Sequence, residues 1–430
     1  MNSLRTLTVL STFILCSQTY SQSIFHSTSP LYEFFLQRDI LINADLWGKE
    51  PKIIGAGLGF TKILGIPGLN SPYGELICRL FGGTWNTVDG DNVPLRAHTS
   101  AATIVSIRIA YGPWVIGQGG FPVEFSWPVQ PSTVRPENFR VTLNDGSEVT
   151  PAGASIFPNF EYNERSTVVL VGEFGNRLNP SEDSEALYPV KLDIVESDIP
   201  LTLIGLKGIK KIATGFSFGD GETPMTAYNT GSGPVLCAAK ISKMRTAGEN
   251  GPLPFRGVLP NDGVALYGED AQFRLRVLTT GGFSPDGVAS VLPTDFERFF
   301  RIRCEAPDGQ VIWITEANKV YEYMGKTLEV LGLADLGKTE SDDPYTLAYS
   351  EDHDNQIDII LKGDVEAMHC ITHVHIPASG DYTPFYNPGG PGNTPTPGTI
   401  YTNPGSEFLQ PVLDAIDHPY TVTWFGQNAR

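Results

Sequence analysis

Short runs of alternating apolar and polar residues fill most of this chain, and glycine, proline, asparagine and aspartate separate them. A period of two bounded by turn formers predicts strands rather than helices. Strands are expected over Thr167–Val171, Tyr188–Val195, Leu201–Leu206, Lys211–Phe218, Pro234–Ala239, Val311–Thr315, Thr327–Leu331 and Gln356–Leu361. Ala101–Tyr111, rich in β-branched residues, reads as a further strand. The cleanest alternation is in Ala271–Leu278, with Phe273, Leu275 and Val277 on one face and Arg274 and Arg276 on the other. One stretch follows a helical stripe instead. Leu31–Ile42 carries apolar residues at 31, 34, 35, 41 and 42, interrupted by Arg38. The expected fold class is mainly β, built of antiparallel β-sandwich domains with little helix.

The stretch Met368–Pro377 is the most distinctive of these runs. If it is a single strand, His369, Ile371, His373 and His375 all point the same way, which aligns three imidazoles on one face. Residues 377–405 follow, crowded with proline and glycine, and no regular element can persist there. So long a loop in a compact domain points to function, and Tyr382, Phe385, Tyr386 and Tyr401 give it side chains with which to pack.

Residues 112–197 carry a recognisable order of motifs. Phe125-Ser126-Trp127-Pro128-Val129 leads to Pro131-Ser132-Thr133-Val134-Arg135-Pro136-Glu137-Asn138-Phe139, and Asn144-Asp145-Gly146 is a hairpin signal. This resembles the bacterial S-layer-type immunoglobulin-like module. The resemblance implies a β-sandwich serving as an adhesive spacer or surface module, with no active site attached. The chain accordingly divides into a signal peptide at 1–21, an N-terminal segment at 22–111 with a short helix and strands, an immunoglobulin-like sandwich at 112–197, and a larger β-rich domain at 198–430.

Composition narrows the setting. Met1–Ser21 has an early Arg5, an apolar run from Leu7 to Cys16, and small residues at Thr19 and Ser21, as a secretory signal peptide does. The protein is therefore expected outside the cytoplasm, and no later run is long and apolar enough to span a membrane. Beyond Ser21 there remain Cys78, Cys237, Cys304 and Cys370, which allow three two-bridge disulfide pairings or buried free thiols. The 430 residues carry a formal net charge of −18, which argues against nucleic acid and anionic membrane as partners. An extracellular ligand, surface or matrix component is the expected partner.

Four groups of residues carry candidate chemistry. His369, His373 and His375, with His353 as a further ligand, fit zinc or copper, whose commonest protein ligand is neutral imidazole. Asp352, His353, Asp354 and Asp358 form an oxygen-rich stretch of the kind that holds calcium, as does Asp89-Gly90-Asp91-Asn92. Gly215-Phe216-Ser217-Phe218-Gly219 fits the nucleophile pattern of serine hydrolases, but turn-like residues follow where that chemistry needs a helix. Trp85, Trp114, Trp127, Trp313 and Trp424 have no stacking period and read mostly as core. The leading expectation is a secreted, non-catalytic binding or matrix protein that uses calcium or another metal. A metal-dependent secreted enzyme with a three-histidine site is the alternative, and a serine hydrolase using Ser217 is the second.

Overall fold

The computed structural model describes residues 29–429 apart from 84, 91–92, 160, 230–233, 253–260, 283–290, 324, 337–354, 384 and 386–407. The expected signal peptide, Asp352, His353 and Asp354, Asp91 and Asn92, and most of the 377–405 loop lie outside these residues. The described chain is mainly β, as the alternation predicts, and most of its strand pairs are antiparallel.

Two facing sheets form the first half. In one, Gln118–Phe125 is central, pairing with Thr167–Gly172 on one side and with Ile53–Ala56 and Phe60–Ile66 on the other. The other runs Ser217–Phe218, Pro189–Ile194, Phe139–Leu143, Glu148–Val149. Phe121, Val123 and Phe125 from the first sheet meet Phe139, Val141, Leu143 and Leu192 from the second in one buried cluster, which is sandwich packing. The Asn144-Asp145-Gly146 hairpin forms as expected, with Gly146 at φ 82° and the Asp145 carboxylate accepting from the Ser147 N–H at 2.9 Å. Residues 112–197 do not complete these sheets alone, because 53–66 and 217–218 supply strands to them. Gly120 allows that extension. A Cβ there would come within 3.0–3.2 Å of the Leu64 and Phe60 side chains.

Two early elements differ from the pattern reading. Leu31–Ile42 is not a helix along its length: Tyr32–Leu36 makes one π-helical turn and Ile40–Asp45 is a strand paired with Thr421–Phe425. Ala101–Tyr111 is a two-residue strand followed by the helix Ile104–Tyr111. Thr103 caps that helix by accepting from the Ser106 N–H at 3.0 Å, and Ile107, Ala110 and Tyr111 form its buried stripe. Capping and packing outweigh β propensity there.

The second half is one nine-stranded sheet. From edge to edge its strands are Val311–Ile314, Arg301–Glu305, Ile371–Ile376, Phe408–Asp414, Leu236–Lys243, Phe273–Thr279, Gln356–Gly363, Lys326–Ala334 and Val320–Tyr323. The two edge strands are consecutive in the chain. The Tyr321 hydroxyl accepts from the N–H groups of Thr315 and Glu316 in their connection, at 3.2 and 3.1 Å. So short a link draws the edges together and curls the sheet into a nearly closed barrel. Ile241, Leu275, Val277, Ile302, Leu333, Ile359 and Val374 fill its interior. The expected alternation in Phe273–Thr279 is present, with Phe273, Leu275 and Val277 inward. Arg274 and Arg276 point outward, yet each is only 1% exposed, because the first half of the chain covers that wall.

Candidate functional site

The three histidines do not lie in a row. His369 follows the helical turn Val365–Met368, before the strand begins at Ile371, so the expectation of one uninterrupted strand is corrected. A bulge also intervenes: His373 lies opposite Arg303, while Ile371, not Thr372, lies opposite Cys304. One extra residue inverts parity, so Ile371 joins Val374 and Ile376 in the barrel core. Only His373 and His375 share the other face.

Each imidazole has its own partner. His369 Nδ1 bonds the Asp414 carboxylate at 2.6 Å and ties the helical turn to the strand Phe408–Asp414. His373 Nδ1 lies 3.0 Å from the Thr372 hydroxyl, and burial and the Arg303 charge push its pKa below the ordinary imidazole value. His375 is buried, and its Nδ1 accepts from Arg301 Nε at 2.5 Å. A guanidinium bonded to the ring opposes a second cation on it. Among the described residues, no three His, Cys, Asp or Glu side chains gather to hold a metal ion.

What the histidine strand does build is a small recess at its C-terminal end. Arg301, His375, Pro377, Ser379, Gly380, Asp381 and Tyr382 line a cavity of about 250 Å³. Arg301 sits with its guanidinium carbon 4.4 Å from the centre of the Trp313 ring, and Trp313 in turn contacts His375 at 5.8 Å between ring centres. Stacking on indole and the bond to His375 fix the plane of the guanidinium. No carboxylate among the described residues forms an ion pair with Arg301. Burial pushes the Tyr382 phenol up, against the pull of the Arg301 charge. The wall is anchored from below: the Thr383 N–H donates to the Arg298 carbonyl at 2.7 Å, and Phe385 is buried and stacked on Phe299 at 4.1 Å. Phe385 thus packs as the loop reading expects.

Among the described residues the largest gathering of buried charge is elsewhere, on the covered wall of the barrel. Arg276 donates Nε and Nη2 to the two Asp358 oxygens at 2.7 and 3.0 Å, Nη1 to Glu164 at 2.8 Å and Nη2 to Asp335 at 2.6 Å. Arg274 Nη1 reaches Glu249 at 2.9 Å. Asp45, from the first half, lies 2.5 Å from Lys240 Nζ and 3.2 Å from Arg245 Nη2. Burial raises the Asp45 and Asp358 carboxyls, but the surrounding cations win and hold both below their usual range. At Asp335 burial wins, and its carboxyl is pushed well up. Five carboxylates, Asp45, Glu164, Glu249, Asp335 and Asp358, face Lys240, Arg245, Arg274 and Arg276. These groups pair in a buried joint between the two halves, in which Asp45 Oδ2 and Arg245 Nε have no hydrogen-bond partner among the described residues.

No family model, curated protein or solved structure matches this chain. Its chemistry must be read from the sites themselves.

The remaining expected sites resolve by position. Asp358 belongs to the buried joint, where two guanidiniums and the Asn261 amide at 2.6 Å occupy its oxygens, so it is not an open calcium ligand. The calcium expectation then rests on Asp352, His353 and Asp354, and at the other loop on Asp89, a residue of the strand Asn86–Gly90. Ser217 lies exposed on the edge strand Ser217–Phe218, opposite Asp193. A turn closed by Asp220 follows it, with the Thr223 N–H donating at 2.7 Å, so the strand–turn–helix of a nucleophile elbow does not form. The cysteines 78, 237, 304 and 370 are free thiols, the second of the two readings open from sequence. Burial pushes the Cys304 thiol up to about 12, which keeps it protonated and unreactive.

Proposed function

We propose that this is an extracellular, non-catalytic binding protein that holds an acidic group of a surface or matrix component in the Arg301 recess. One observation carries the reading: Arg301 is fixed by Trp313 and His375 but has no carboxylate partner among the described residues, in a chain whose net charge is −18. A guanidinium held in one plane favours a carboxylate or sulfate, which it can meet with two parallel hydrogen bonds. The Tyr382 and Ser379 hydroxyls and the Asp381 carboxylate add partners suited to the hydroxyl groups of a sugar. At about 250 Å³ the recess suits one terminal unit rather than a long stretch of polymer. An exposed recess of this size, with one cation for the acidic group and the Asp381 carboxylate opposing it, is expected to bind weakly, on the order of 0.1–1 mM.

Retention on immobilised acidic polysaccharide, compared with a neutral polysaccharide of the same backbone, tests the reading. Preferential retention on the acidic matrix, reduced in Arg301→Ala, is the expected result. Equal retention on both, or retention indifferent to Arg301→Ala, would contradict it.

A further inference from the structure

The segment Leu206–Ile212 reverses the character of the surface around it. It contains Leu206, Lys207, Gly208, Ile209, Lys210, Lys211 and Ile212, and residues 199–219 hold three lysines and no Asp or Glu. Thr202–Ile204 and Lys210–Ile212 pair as a two-stranded hairpin. Its root is secured, with Ile204 buried among Leu41, Ala44, Leu46 and Val422. Its turn is ordered by hydrogen bonds from the Gly205 N–H to the Ile209 carbonyl at 2.8 Å and from the Gly208 N–H to the Gly205 carbonyl at 3.0 Å. Lys207 and Gly208 carry the positive φ values that so tight a turn requires, 59° and 75°.

Beyond that root the side chains stand in the open. Leu206 is 43% exposed, Ile209 61% and Ile212 54%. All three residues of Lys210–Ile212 are exposed, so neither face of that strand is covered. The neighbouring strand adds Phe425, 59% exposed. Among the described residues no ion pair engages Lys207, Lys210 or Lys211; Lys210 Nζ rests 5.0 Å from the centre of the Trp424 ring.

We propose that this hairpin is a membrane-surface contact that dips its aliphatic tip into the headgroup layer of an anionic phospholipid bilayer. Lysines interleaved with aliphatics fit that boundary, where ammonium groups meet phosphates while apolar side chains enter the acyl region. A protein groove would cover one face of a hairpin, whereas apolar groups exposed on both faces call for a medium that surrounds them. The net charge of −18 does not forbid it. Screening confines charge effects to about 8 Å at physiological ionic strength, so the local sign of the tip decides.

Co-sedimentation of the full chain with phosphatidylcholine vesicles, with and without one-quarter phosphatidylserine, tests this. Binding to the anionic vesicles is expected at least tenfold tighter than to the neutral ones. Ile209→Ser, and separately Lys207→Gln with Lys210→Gln and Lys211→Gln, should each weaken it fivefold or more with an unchanged melting temperature, since all four positions are exposed. Arg301→Ala should leave vesicle binding unaltered, which separates this contact from the recess. Absent binding to anionic vesicles overturns the proposal. So does binding that Ile209→Ser does not weaken, or equal binding to soluble polyglutamate, which would identify an acidic polymer as the partner.

Discussion

Arg276 grips Asp358 through two parallel hydrogen bonds, at 2.7 and 3.0 Å, and extends its remaining donors to Glu164 and Asp335. Asp358 and Arg276 stand directly opposite each other on neighbouring barrel strands, while Glu164 comes from the first half. One guanidinium therefore holds both parts of the chain. Removing one member of a buried ion pair leaves its partner uncompensated, at a cost of about 3–5 kcal/mol. Asp358→Ala should lose stability on that scale, measured by urea unfolding. A loss below about 1 kcal/mol for Asp358→Ala would place the joint's strength elsewhere.

Acid should open the same joint. Asp45 and Asp358 have folded pKa values below their unfolded ones, so their stabilisation is complete above an unfolded value of about 4 and is lost as pH falls below it. Thermal melts from pH 5 to pH 2 should show a steep decline that flattens in Asp45→Asn. An equally steep decline in the variant would assign acid sensitivity to other carboxylates.

Glu124 gives the opposite slope. It is fully buried, its Oε1 accepts from Asn355 at 3.0 Å, and burial raises its pKa to about 8. Between an unfolded value of about 4.3 and the folded value, only the folded state keeps the proton. Stability then falls as pH rises through that window, by up to about 1.4 kcal/mol per pH unit, and levels off above it. Glu124→Gln should be more stable than wild type at pH 8.5 and nearly equal to it at pH 4.5. Melting temperatures at the two pH values decide this, and an unchanged difference between them would mean that Glu124 is ionised in the fold.

Calcium at Asp352 and Asp354 predicts a melting temperature that rises with millimolar calcium and loses that rise in Asp354→Ala. A curve indifferent to calcium would remove the ion from the account.

Much of the architecture is legible in the residue pattern, and the exceptions have physical causes. Alternation identifies the inward face of Phe273–Thr279, but periodicity cannot say whether the outward face meets water. Arg274 and Arg276 are covered because Asp45, Glu164 and Glu249 arrive from segments far away in sequence. The histidine stretch departs from its residue pattern for a local reason: a bulge at Thr372 and a helical turn before Ile371 break the parity on which three aligned imidazoles depend. Of the predicted ligands among the described residues, His375 alone lines the recess. Arg301, Trp313 and Tyr382 give no sequence signal as a group, since they meet only through barrel pairing and the loop after Pro377. Thr103 caps the helix Ile104–Tyr111, whereas the β-branched residues of Ala101–Tyr111 point to a strand.

The most direct test of the recess is calorimetric titration of the protein with a hexuronic acid trisaccharide at low ionic strength, alongside its neutral reduced counterpart. Saturable binding of the acidic sugar alone is expected, weakened at least tenfold in Arg301→Ala and unchanged when Lys207, Lys210 and Lys211 are replaced by Gln. Equal heats from both sugars, or binding that survives Arg301→Ala, would contradict the account.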